Sequence, residues 1–113
     1  MSFLHIAYHP IYAHPLPEGH RFPMLKYELI PGQLLQEGTI TMQNLVAPKR
    51  CLEETVLLTH TASYLQQLLC QTLTERQQRV IGFTQSQELT ERELIIMQGT
   101  IDCALAALGA GIA

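Results

Sequence analysis

The sequence predicts a helix-rich fold of mixed α and β type, on three observations. Residues 3–8, Phe-Leu-His-Ile-Ala-Tyr, are a short apolar run stopped by His9-Pro10, the size and ending of a buried strand. Tyr64, Leu65, Leu68, Leu69 and Leu73 recur at three- and four-residue spacing, the period of a helix with one apolar face. Thr90-x-x-Glu93 has the form of a capping box, and the apolar run continues through Leu94, Met97, Ile101, Leu105 and Leu108.

The remaining elements follow in chain order. Pro23 suits a first helical turn, and residues 24–29 form helix until Pro31-Gly32 is expected to break it; Leu34, Leu35 and Glu37 add a second turn ending at Gly38. Residues 39–46 begin by alternating polar and apolar side chains and read as a second strand, ended by Pro48. A helix starts at Glu53, and a second follows a cap at Thr59 or Thr61, so that two short helices meet at His60. Residues 74–89 have no sustained period and read as a polar connection. The last helix carries Gly99, Ala104, Ala106 and Ala107 on its other face, small enough for close packing.

Residues 8–27 hold three of the five histidines and four of the six prolines. Proline fixes φ and removes a backbone donor, so repeated X-Pro steps make an irregular loop. Imidazoles, tyrosines and an arginine gathered on such a loop suggest the wall of a site, since binding groups tend to sit on loops held by a rigid scaffold.

At 113 residues and 47% hydrophobic content, the chain fits one small domain with a core. The net charge of −3 and the lack of a basic run argue against nucleic acid and against an anionic membrane surface. The N-terminus has no cationic signal region, and charged residues punctuate the most apolar stretch, which leaves a cytoplasmic location as the expectation. Cys51, Cys70 and Cys103 are widely spaced and read as buried or half-buried free thiols. His5 and His9 would lie about 13 Å apart on a strand, too far to share a metal ion. No nucleophile elbow or phosphate loop is present. Met24, Met42 and Met97 look like core filler, and His60 like a structural imidazole that bridges backbone groups.

Four stretches in order resemble the N-terminal part of the histone deacetylase and acetylpolyamine amidohydrolase superfamily, in a bacterial, class IV-like branch. They are the strand into Tyr8-His9-Pro10, Gly19-His20-Arg21-Phe22-Pro23-Met24-Leu25-Lys26-Tyr27, Leu58-Thr59-His60-Thr61-Ala62-Ser63-Tyr64-Leu65, and Arg92 through Leu108 with Gly111-Ile112-Ala113. The resemblance implies an arginase/deacetylase-like parallel sheet, of which residues 1–113 form a single partial domain with the sheet incomplete. It also implies zinc-dependent hydrolysis of an acetylated amine or lysine amide, using two aspartates and a histidine on the zinc, a His-His pair and a tyrosine.

The sequence contains no His-His pair and no Asp-x-His, and Asp102 sits mid-helix. The chain is therefore expected to hold no catalytic residue, metal ligand or cofactor, with zinc belonging to the complete domain, and to be inactive alone. By motif match Arg21 lines the internal substrate or product cavity, with Tyr12, His14 and His20 at the pocket mouth. Residues 80–88 align with a substrate-gripping rim, where this chain offers Gln85, Ser86 and Gln87; His60 and Tyr64 match a structural helix start. Exposure of the last helix and of the first strand's edge implies self-association. The competing expectations are a stand-alone interaction or oligomerisation module derived from that fold, and an unrelated small helical domain.

Overall fold

The computed structural model describes residues 4–110 and 113; Phe3, in the predicted first strand, and Gly111-Ile112, in the last matching stretch, lie outside them. Strand β1 (Ile6–Ala7) pairs in parallel with β2 (Leu45–Val46), in register Ile6 with Leu45 and Ala7 with Val46. The Tyr8 amide donates to the Val46 carbonyl at 3.0 Å, and Asn44 Nδ2 to the Leu4 carbonyl at 2.9 Å, so the pairing is fixed at both ends. The fold is thus mixed α and β, with many helices and one small parallel sheet.

Both strands are shorter than their apolar runs. Over Met42–Asn44 the chain takes a 3-10 turn instead, because Asn44 Oδ1 accepts the Thr41 amide at 2.9 Å. A short polar side chain has here offered the backbone a local partner in place of a ladder.

Helix α1 (Lys26–Gln36) runs through Pro31, which does not break it. The ring forfeits one helical hydrogen bond, yet the chain stays helical through it and through Gly32 after it. Past Gly38, at φ +76°, the amides of Thr39 and Ile40 turn back to the Leu34 carbonyl and close the end. No residue of this helix is buried, and Leu25, Leu29 and Ile30 face solvent.

Helices α2 (Glu53–Val56) and α3 (Ala62–Cys70) meet around His60 as expected, and Thr61 is the cap, its Oγ1 accepting the Tyr64 amide at 3.1 Å. The connection expected over 74–89 is instead largely helical. Helix α4 (Glu75–Ile81) opens with a capping box in which Thr74 Oγ1 accepts the Gln77 amide and Gln77 Oε1 accepts that of Thr74. Gly82, at φ +91°, ends it.

Helix α5 (Gln87–Ala110) begins one turn before Thr90. Ser86 Oγ accepts the Leu89 amide at 3.0 Å, as a cap does. Thr90 is drawn away to α3, where its hydroxyl donates to the Leu68 carbonyl and accepts from Gln71 Nε2.

Cys51, Val56, Leu65 and Leu94 make the core, with Leu69 and Met97 against it. Cys70 is exposed and Met42 is 69% exposed, so neither packs as its residue type suggested. Helix α5 crosses β1 at Gly99, where a Cβ would lie 2.7 Å from Tyr12 Oη, 3.0 Å from Ala7 Cβ and 3.3 Å from Pro48 Cγ. Its far end carries Leu105 and Leu108 in solvent. None of the described helices is long and apolar enough to cross a membrane.

The result is a slab of 47 × 35 × 17 Å. Its radius of gyration is 15.9 Å, against about 13 Å for a compact domain of this length. Its accessible surface is 7880 Å², against roughly 6,200 Å² for a compact monomer of this mass.

The crossing at Gly99 makes a direct prediction. Gly99→Ala should lower stability by about 1–3 kcal/mol, even though alanine is the better helix former, because Ala7 and the Pro48 ring cannot swing away. Gly109→Ala, with nothing within 4 Å of its Cβ, should raise it by up to about 1 kcal/mol. Urea unfolding of both variants checks this; equal stabilisation by the two would contradict the close approach.

Candidate functional site

The loop that follows β1 is folded by its own side chains before anything else touches it. His9 caps a 3-10 turn over Pro10–Tyr12, its Nδ1 accepting the Ile11 amide at 3.0 Å. His20 does the same further on, its Nδ1 accepting the Phe22 amide at 3.2 Å. Aromatic rings then tie the loop to the start of α1: Tyr12 meets Tyr8 and Tyr27 edge-to-face at 6.5 and 6.2 Å, and Phe22 stacks on Tyr27 at 6.4 Å.

Two longer-range ties hold this loop to the helices. The first is Arg92, on α5 and only 4% exposed. Its Nε donates to the Tyr12 carbonyl at 2.8 Å, its Nη1 pairs with Glu93 at 2.7 Å, and its Nη2 reaches Met24 Sδ at 3.5 Å. The guanidinium also lies over the Tyr27 ring, 5.1 Å from its centroid. A buried cation is tolerated where its donors and its charge are met, and here a carboxylate, a carbonyl and an aromatic face meet them.

The second tie is His20. Because its Nδ1 accepts a backbone amide, the proton is on Nε2, which donates to the Gly82 carbonyl at 3.0 Å. Its ring lies flat on Phe83, at 5.5 Å and 6°.

The sequence-predicted site residues part company here. Tyr12 is buried behind the loop, against Gly99, and not at an open mouth. Burial pushes its phenol above the ordinary range, Cys103 and Asp102 add to that, and Arg92 pulls the other way. His14 and His20 line a depression of about 380 Å³ between Pro15–Pro17 and the turn after α4. His14 and His20 also share a second depression, of about 350 Å³, with Phe22, Met24 and Glu28. Arg21 is exposed and lines neither.

The rim positions are occupied by structure. Gln85 pairs with the Leu73 backbone through both ends of its amide, Ser86 caps α5, and Gln87 is its first residue. His60 is exposed, 5.6 Å from the Tyr64 ring, and no hydrogen bond ties it to the backbone among the described residues, so the expected bridging role is not seen. Both line an apolar groove of about 480 Å³ between α3 and α5, with Leu68, Phe83, Met97 and Ile101.

Among the described residues no three His, Cys, Asp or Glu side chains converge as a metal site requires. The described residues offer no ligand set for a zinc ion, and no chemical step is assigned to one.

Arg92 is the residue that sequence reading passed over. Between Glu91 and Glu93 it looks solvated. Its position was nonetheless marked, since Leu89, Arg92 and Gly99 are spaced to fall on one helical face and both of its partners on that face are buried.

No protein-family profile matches the chain. An uncharacterized protein of Picosynechococcus sp. is 38% identical over 108 residues, covering 96% of this chain and 36% of that protein. The chain thus spans about a third of the length of the curated relative it matches.

Two predictions follow from the buried tie. Arg92→Lys should cost about 1.5–3 kcal/mol, because an ammonium cannot reproduce the planar set of donors; thermal unfolding reads it, and a change within about 0.5 kcal/mol would mean that the guanidinium geometry is immaterial. Tyr12 gives a pH signature with a definite sign. With its folded pKa raised, the native state holds a proton that the unfolded chain releases, so its contribution to stability is full below about pH 10 and is lost as pH rises further. Tyr12→Phe should flatten that alkaline loss in pH-dependent urea unfolding, and an unchanged slope would count against it.

Proposed function

We propose that these residues are the opening part of a zinc-dependent, deacetylase-like amidohydrolase, and that they supply one wall of its substrate pocket. The observation that carries the proposal is the parallel pairing of β1 and β2. Parallel strands send their following segments to the same end of the sheet, and open α/β folds keep their ligand sites beyond the carboxyl ends of their strands. The 8–25 loop leaves β1 at that end, held by Arg92 and His20.

The slab shape supports the same reading. A two-stranded parallel sheet normally needs neighbours and cover, and the chain exposes about a quarter more surface than a compact monomer of its mass. The expected identity of Arg21 as a cavity cation belongs to this proposal: a cation that is exposed here is available to a cavity closed by further strands.

A second reading, a self-associating interaction module, is favoured by Leu58, Val80, Leu105 and Leu108, each more than 60% exposed. One experiment separates the two. A chimera in which this chain replaces the matching region of the Picosynechococcus protein is assayed for zinc-dependent acetate release from acetyl-lysine peptides and acetylated diamines, with light scattering on both chimera and isolated chain. The amidohydrolase reading expects release by the chimera, none by the isolated chain, and self-association of the isolated chain alone. No release by either the chimera or the unmodified Picosynechococcus protein would overturn it, and a chimera that associates as the isolated chain does would point to the module.

A further inference from the structure

We propose that the depression between the proline-rich loop and the turn after α4 binds a small carboxylate-bearing ligand, with the Arg79 guanidinium as its charge partner and His14 beside it. Three observations, independent of the reaction proposed above, lead there.

The first is shape. The depression has a volume of about 380 Å³, within the range of small-molecule sites. Pro15, Leu16 and Pro17 form one wall, and Phe83 lies on the other side. Prolines and a stacked aromatic give rigid apolar surface, so a flat ligand would immobilise little.

The second is charge. The chain as a whole carries −3, yet no Asp or Glu lines this depression, whereas His14, His20 and Arg79 do. Glu75 is the nearest acidic partner of Arg79, at 3.9 Å with both side chains largely in solvent. A pair that long and that exposed contributes little and yields readily to a ligand. Glu18 is exposed on the loop, outside the lining.

The third is which polar groups are already used. His20 spends one nitrogen on the Phe22 amide and the other on the Gly82 carbonyl. Gln78 spends its amide on the Leu73 carbonyl and the Gln85 amide. His14 has no hydrogen bond to another described residue, and Arg79 has only the long contact to Glu75. The side-chain groups left free in the depression are thus an imidazole, the Thr84 hydroxyl and a guanidinium, and the last has the planar donor set that matches a carboxylate.

The floor is held in place beforehand. His20, bonded to Gly82 and stacked on Phe83, fixes the distance between the two walls.

The test uses the 113-residue chain and benzoate as the probe, with benzamide as its uncharged counterpart. In ¹⁵N-resolved NMR titrations at low salt, benzoate up to about 10 mM should shift the amides of His14, Leu16, Glu18, Gly19, His20 and residues 78–84 and leave those of α5 in place. Benzamide should bind at least about five-fold more weakly, and so should benzoate to Arg79→Gln. Arg79 is solvent-exposed, so the substitution does not endanger folding, and retained α5 shifts verify that. Equal shifts by benzoate and benzamide, no shifts by benzoate, or undiminished benzoate binding by Arg79→Gln would each overturn the assignment.

Discussion

The Arg92 Nε–H donates to the Tyr12 carbonyl across 80 residues of sequence, and it does so from a side chain that is almost wholly buried. Arginine cannot shed its charge to escape such a place, so the surroundings have to answer it. They do so with the Tyr27 face, the Glu93 carboxylate and the Met24 sulfur, and these draw the loop after β1, the head of α1 and the second turn of α5 onto one point. Two turns further along α5, Gly99 lets the helix lie directly on Tyr12 and Ala7. The sheet alone, with two residues per strand, is far too small to set this arrangement.

The loop after β1 hangs from this point. The loop has little regular structure, yet it is anchored at Tyr12 by Arg92 and at His20 by the Gly82 carbonyl, which leaves residues 13–19 as a short span between two fixed ends. That span forms walls of two depressions. The opposite side of α5 behaves differently: its first half covers Val56 and Leu65, while Leu105 and Leu108 are largely exposed.

Periodicity made α3 and α5 legible, and the loop was legible from its prolines. What misled was local chemistry judged without its tertiary setting. Thr90-x-x-Glu93 has the form of a cap, but Gln71 and the Leu68 carbonyl claim the Thr90 hydroxyl and Ser86 does the capping. The equivalent signature at Thr74-x-x-Gln77 was genuine and went unread because the polar residues around it have no apolar period. Pro31-Gly32 looked like a stop, yet the helix runs through both at the loss of one hydrogen bond. At the site, His14 and His20 do meet in a depression, whereas Tyr12 supports the loop from behind and Arg21 points to solvent. Arg92 was hidden by its acidic neighbours, since one residue's charge context says nothing about which helical face is buried.

Whether a buried guanidinium holds the 8–25 loop to α5 is read directly from NMR of the Arg92 Nε–H group. The expected result is a resolved, slowly exchanging Nε–H signal with a through-bond coupling to the Tyr12 carbonyl and nuclear Overhauser contacts to the Tyr27 ring. An Nε–H that exchanges at the rate of a solvated arginine, with neither coupling nor contacts, would contradict it.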